Sequence, residues 1–493
     1  MRHRLLISML AVLFIWASEF TECQVRRTLL VRIDRVNREE LLRTGIVTSD
    51  ENNPQSLVTL VRDTALVLLT KTEADLLRER GFRTSVIMED TSELQLMRRA
   101  CYGPTMRLEQ PYHTYDVIVR EIEALAKLHP SLIQVSPIGA TIRNRKIFAV
   151  KITKDVAEES DRPAILFDGC HHSDEVLGAE ICLEIVRELV GKYGIDPEVT
   201  GWVDRYQIYV VPVINVDGHD IVTSGQDPRW EKNARDTDGD GKVLFPDGVN
   251  LNRTYDFNWA HGGSGERTNM RYRGPFPFSE PETRALAALA RQKRFLLSLT
   301  YHSQGEVIYY PWIWNGHKAP DDRLLTSIAR GLAGSIKTMQ GDSSYKAEYG
   351  AGLVGQSYPW LYGVLGTFDF VVETGRGAHI FPPHEVAGIV RENMNGVRFM
   401  LRRAEGPGMQ IRVKDGSTGA PLEAQVWFPS IETEEVQRRS THPQFGSLRR
   451  LLLPGQYSCI ISKAGYQTVV LNDVTVGETG WTARQVVLTK GAP

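Results

Sequence analysis

Phe167-Asp168-Gly169-Cys170-His171-His172-Ser173-Asp174-Glu175 joins an apolar run, Ala164 to Phe167, to a helical pattern that begins near Val176. The run reads as a buried strand, broken at Gly169, that delivers two histidines and an acidic pair to its end. His172 and Glu175 stand three apart, so at a helix start both side chains can turn toward one point. Imidazole and carboxylate at that spacing suit Zn²⁺, which takes nitrogen and oxygen ligands and keeps one position open in catalytic sites. A single His-x-x-Glu also arises by chance in solvated strand-to-helix turns. The assignment therefore needs a third ligand and a base from elsewhere in the chain.

Both are found by following the same pattern outward. Continuous apolar runs recur at Ile147–Ile152, Gln207–Val213, Phe295–Thr300 and Thr367–Val372, as expected for strands covered on both faces. Helical patterns sit between them, including Val176–Val190, one that opens with Ser279-x-x-Glu282 at capping-box spacing, and Pro383–Arg402. Residues 108–403 thus read as one α/β domain, a mixed, mostly parallel sheet with helices on both faces. In such sheets ligands gather outside the C-terminal ends of the strands. Phe295–Thr300 ends at His302 and Thr367–Val372 ends at Glu373. His172, Glu175 and His302 make a His₂Glu zinc set with room for water, and Glu373 is left to act as its general base. Alone, His302 is as readily a satisfied core histidine; three strands ending alike shift the balance. Cys170, beside the histidines, reads as a small buried residue rather than a ligand.

The rest of the 493-residue chain frames this domain. A net charge of −2 and no basic run argue against a nucleic-acid partner. Arg2 and Arg4 before the apolar stretch Leu5 to Ala17 read as a signal peptide, residues 1–23, and predict a secreted or periplasmic protein without a membrane span. Of five cysteines, Cys23 leaves with the leader, and the remaining four allow one or two disulfides but no disulfide framework. Residues 25–98 alternate strands (Leu29–Ile33, Ala65–Thr70, Arg83–Met88) with short helices and form a small α+β domain. Its tail carries Arg98-Arg99, either a solvated linker or a processing site. Residues 408–490 lose helical periodicity and read as a small β-sandwich. Asp236, Asp238 and Asp240 echo a calcium loop, although a solvated acidic turn accounts for them better.

The central domain resembles the zinc carboxypeptidases of the pancreatic type. The likeness is carried by Gly169-x-x-His172-x-x-Glu175, Pro212-x-x-Asn215-x-Asp217-Gly218, Gly248-Val249-Asn250-Leu251-Asn252-Arg253, Pro277 to Thr283, His302-Ser303 with Tyr310-Pro311, and Phe370-Val371-Val372-Glu373. It implies one zinc held by His172, Glu175 and His302, with Asn252 and Arg253 binding the substrate's terminal carboxylate and Glu373 serving as base. Tyr349 takes the place of the family's flexible tyrosine, and Tyr358 lies in its specificity segment. Two positions depart from the family pattern. Glu231 follows Trp230 where an oxyanion-stabilising arginine is usual, so Arg235, or else Arg229, is expected to substitute. Asn250 stands where an aspartate normally orients a zinc-binding histidine. The N-terminal unit is similar to the family's propeptide domain, and the C-terminal unit resembles the transthyretin-like sandwich of regulatory carboxypeptidases.

The function expected is removal of C-terminal residues from peptides or proteins. Two rivals stay open: an amidase or endopeptidase acting on cell-wall peptides with the same zinc, and an inactive fold used for binding.

Overall fold

The computed structural model describes residues 28–44, 46, 57–61, 64–88, 112–350 and 354–491. The leader, Cys23, Arg98-Arg99 and Cys101 lie outside them. The chain divides into two compact units, Met1–Met106 and Arg107–Pro493.

In the first unit, β1 (Thr28–Asp34), β2 (Leu57–Val61), β3 (Thr64–Thr70) and β4 (Arg83–Met88) form an antiparallel sheet in the order β2-β3-β1-β4. Two helices, α1 (Arg38–Arg43) and α2 (Lys71–Glu79), accompany it. At the start of α2 the Glu73 N–H donates to Thr70 Oγ1 at 3.3 Å while Glu73 Oε2 accepts from the Thr70 N–H at 2.8 Å. Two otherwise orphaned donors are satisfied by that reciprocal cap. Val31, Ile33, Val67, Leu69 and Leu77 form the core. β2 was not anticipated from the sequence.

The second unit is built on an eight-stranded mixed sheet with helices on both faces. Its strands are β5 (Ile133–Ala140), β6 (Lys146–Ile152), β7 (Ala164–Gly169), β8 (Gln207–Val211), β9 (Leu297–His302), β10 (Val307–Tyr310), β13 (Lys346–Tyr349) and β14 (Phe368–Glu373), with the small hairpin β11 (Ile313–Trp314) and β12 (His317–Lys318) beside it. The order is β13-β10-β14-β9-β7-β8-β6-β5. The central run β14-β9-β7-β8 is parallel, and β6 and β5 continue it antiparallel. β7, β8 and β9 are buried along their whole length, which is why they read as unbroken apolar runs. The helices are α3 (Tyr115–Leu128), α4 (Leu177–Lys192), α5 (Pro197–Arg205), α6 (Val216–Thr223), α7 (Pro281–Lys293), α8 (Asp322–Ser335), α9 (Ser357–Trp360) and α10 (Pro383–Arg403). A single π-helical turn, Leu361–Leu365, follows α9.

The start of α7 differs from the expected capping box. Glu280 is the N-cap, Ser279 Oγ donates to its side chain at 2.9 Å, and the Glu282 carboxylate accepts the Ile142 N–H at 3.2 Å instead of folding back. Glu282 is fully buried, and burial first, then the Glu280 charge, push its pKa up to about 7. The folded state therefore holds a proton that the unfolded chain releases. That contribution is complete below the unfolded carboxylate range and is lost as pH rises through about 7. Glu282→Gln should remove this fall and leave the variant relatively more stable above pH 7, on the order of 2–3 kcal/mol. Melting midpoints of both proteins at pH 5 and pH 8 check it; equal losses across that interval would refute the assignment.

Beyond α10, two sheets face each other. One is β18-β15-β21, from β15 (Gly408–Asp415), β18 (Ser447–Leu451) and β21 (Trp481–Leu488). The other is β17-β16-β19-β20, from β16 (Gln425–Trp427), β17 (Arg439–Ser440), β19 (Gly455–Ser462) and β20 (Val469–Val476). Met409, Ile411, Val426, Phe428, Ile461 and Leu488 lie in the core they share. The three described cysteines, Cys170, Cys182 and Cys459, are buried free thiols. Among the described residues no helix is long and apolar enough to cross a membrane.

Candidate metal centre and its surroundings

β7, β9 and β14 are parallel neighbours, so their C-terminal ends open on one rim. The register sets Glu373 beside His302 and Gly169 beside Tyr301. Past Gly169 the chain turns sharply through Cys170, whose φ is +55°. A Cβ on Gly169 would come within 2.8 Å of the Gly178 backbone, so only glycine lets the strand end pass the first turn of α4 this closely. His172 and Glu175 sit in that turn, two residues short of α4. Their convergence is thus set by the turn and not, as the spacing suggested, by a helical face.

Glu175 joins the two imidazoles. Its Oε1 lies 2.8 Å from His172 Nδ1 and its Oε2 lies 2.6 Å from His302 Nδ1. The rings meet edge to face with centroids 4.8 Å apart, and all three residues are buried. The environment of His172 tests whether this triad suits a metal. Asn250 Nδ2 donates to Glu231 Oε1 at 2.7 Å and to the Met270 carbonyl at 3.2 Å, which fixes the orientation of its amide. Asn250 Oδ1 is therefore the atom facing His172 Nε2 at 3.2 Å, so Nε2 carries the proton. A neutral His172 then presents the bare lone pair of Nδ1 to a carboxylate oxygen. An added proton or a cation resolves that clash. Two imidazole nitrogens and a carboxylate on one buried point are a zinc donor set, and the residues present fit the ion. Asn250 thus holds His172 although it is not an aspartate, with the Glu231 carboxylate placed behind it.

The charges respond accordingly. Burial opposes the charged form of His172, but Glu175 and Glu231 outweigh it and hold its pKa up to about 9. Burial also works to raise Glu175, yet the two imidazoles hold it far below the usual carboxylate range. His302 is pushed down, burial exceeding the pull of Glu175. Burial first, then the Glu175 charge, push Glu373 up to about 8. His171 lies behind the cluster, stacked on His302 at 5.8 Å and bonded through Nε2 to Tyr255 Oη at 2.7 Å.

The other predicted residues divide. Asn252 Nδ2 donates to His302 Nε2 at 3.1 Å and its Oδ1 accepts the Ser357 N–H at 3.0 Å, so this side chain supports His302 and the segment leading to Tyr358. Arg253 is buried, donates from Nη1 to the Asn252 carbonyl at 2.7 Å, and has Glu231, Glu175 and Tyr358 among its electrostatic neighbours. Tyr358 is buried with its hydroxyl against Gly350. Arg235 is committed elsewhere, since its Nε donates to both oxygens of Glu280 at 3.0 and 2.9 Å. Tyr349 lies on β13, where its hydroxyl donates to Asp322 Oδ1 at 2.6 Å and accepts from Lys318 Nζ at 2.8 Å. Arg229 is exposed. Asp236, Asp238 and Asp240 gather in an exposed loop, where Asp236 accepts the N–H groups of Gly239 and Gly241. Sequence reasoning missed Asp174 and His379, which pair at 2.7 Å beside Glu175. Asp174 stands inside the decisive stretch; His379, in the loop after β14, carries no local signal.

A family model described as zinc carboxypeptidase matches residues 118–396. Carboxypeptidase B of Rattus norvegicus is 30% identical over 302 residues, covering 59% of this chain and 70% of the relative. Carboxypeptidase B of Bos taurus is 28% identical over 341 residues, covering 66% and 79%. Among solved structures, carboxypeptidase A from Helicoverpa armigera superposes with a TM-score of 0.53 at 19% identity, over 76% of this chain and 96% of that one. Thrombin activatable fibrinolysis inhibitor gives 0.54 at 20% identity, over 76% and 98%. At those identities the structural likeness carries the fold alone.

Proposed function

This chain belongs to the zinc carboxypeptidase family, and on that premise we propose that it removes residues from the free C-termini of peptides or proteins, with His172, Glu175 and His302 holding the zinc. The observation that carries the reading is the junction of three strand ends: Glu175 touches both imidazoles, and Glu373 sits in register beside His302. Zinc in that position supplies Lewis acidity to the scissile carbonyl and makes water a nucleophile near neutral pH. Glu373 takes the proton of the attacking water through its carboxylate and returns it to the leaving amine. Arg253 meets the substrate carboxylate with its planar guanidinium, which pairs two oxygens at once. Asn252 joins Arg253 at that carboxylate and also keeps His302 oriented, and Tyr358 lies beside Arg253 as a wall of the side-chain pocket. A secretory leader and export from the cytoplasm are the cellular setting we infer from residues 1–23, and peptide C-termini are the partners.

Paired peptides test this reading, one with a free C-terminus and one with the same sequence amidated. The free acid should lose single residues from its end and the amide should persist. Arg253→Met should raise KM for the free acid on the order of 10- to 100-fold, the worth of a charged hydrogen-bonding pair. Cleavage of the amide at the same rate would instead support the amidase or endopeptidase alternative.

A further inference from the structure

Beside the zinc triad lies a second group of ligands that the proposed reaction does not use. Asp174, Glu175 and His379 bring one ligand atom each within 4.8 Å of one another. Asp174 Oδ2 is 2.7 Å from His379 Nδ1, while its other oxygen, Oδ1, is buried and has no hydrogen-bond partner. Asp174 as a whole is only 6% exposed. An unpartnered carboxylate oxygen buried to that degree carries a desolvation cost that a cation removes. Glu175 is common to both groups, and a carboxylate has two oxygens with which to serve two ions.

The charge around the rim points the same way. Glu231 and Glu175 both act on His379, and Glu175 and His379 both act on Glu373. Asp174, Glu175 and Glu231 thus stand on one rim with Glu373, and Arg253 and Arg271 are among the cations beside them. An incoming substrate carboxylate adds negative charge to that rim. Like charges held in a low-dielectric pocket repel strongly unless a counter-charge joins them.

We propose that Asp174, Glu175 and His379 bind a second divalent transition ion of the zinc class, bridged to the first through Glu175. Imidazole with two carboxylates is a donor set that zinc, cobalt and manganese accept, and it is too nitrogen-rich for calcium. Two ions sharing a carboxylate lie about 3.5–4 Å apart in hydrolases that use them in pairs. The site is half open on the His379 side, whose side chain is 46% exposed, so the second ion exchanges more readily than the first.

The proposal rests on His172, Glu175 and His302 holding the first ion, and the test separates the two. Metal-free full-length protein is titrated with Co²⁺, following bound metal per chain and the visible absorption of the ion. Two equivalents are expected, the second weaker. His379→Gln and Asp174→Asn should each reduce the count to one and leave the first step unchanged, whereas His302→Ala should remove the tight step. His379 is exposed enough that its replacement leaves folding intact. One equivalent in the parent chain, or two retained in both variants, overturns the second site and spares the first. No binding at all overturns both.

Discussion

Glu373→Gln is expected to lower kcat by on the order of 10²–10⁴-fold while zinc content and KM stay close to those of the parent enzyme. The amide keeps the size of the carboxylate and cannot take a proton from water. Glu373 lies at the end of β14, in register with His302 but outside the triad that Glu175 closes, so its loss should spare the metal. Its environment explains why one atom change weighs so heavily. Burial and the neighbouring Glu175 push its pKa up to about 8, which marks a carboxylate whose proton affinity is far from that of a solvated one. Steady-state kinetics with parallel metal analysis decide the matter. Turnover within tenfold of the parent would remove Glu373 from the chemistry, and loss of zinc together with activity would make it structural.

The second large effect concerns stability. Arg450 is 1% exposed, and its Nη2 donates to Asp321 Oδ1 and Oδ2 at 2.9 and 3.1 Å while Nη1 binds Glu432. Arg439 also binds Glu432, and Tyr362 Oη donates to Asp321 Oδ2 at 2.7 Å. This buried network ties β17 and β18 to the N-cap of α8 and to the π-helical turn that follows Tyr358. Arg450→Met leaves Asp321 with its charge buried and its main counter-ion gone, an imbalance worth about 3–5 kcal/mol. The melting midpoint should fall by several degrees. Adding Asp321→Asn should recover part of the loss, because the stranded charge is then gone too. An unchanged midpoint in the single variant, or a double variant worse than the sum, would show that the network does not hold these elements together.

Much of the site was legible because its residues end buried strands. Apolar runs without alternation identified β7, β9 and β14, and the residues just past them are those a parallel sheet presents on one rim. The edge strands β5 and β13 were missed because their burial is partial and mixed and leaves no clean period, and β10 because its four residues are too short a run. The same limit hid the roles of polar residues. Asn252, expected at the substrate carboxylate, also donates to His302, a contact that spacing gave no sign of; Arg235 was expected near the reacting carbonyl and is found paired with Glu280. Side-chain partners on loops depend on how distant segments pack, and spacing along the chain does not encode that.

By itself, then, the order of residues determined the α/β class, the three strand ends that carry His172 with Glu175, His302 and Glu373, and hence the chemistry of a metal-dependent hydrolase. Hydrophobic period and residue type are local properties, and they suffice for those statements. Only the folded chain decided that Glu231 stands behind Asn250 to orient His172, and that His379 comes across to Asp174 beside Glu175. Those contacts join residues far apart in the chain, and their distances are fixed by the packing of loops on the sheet.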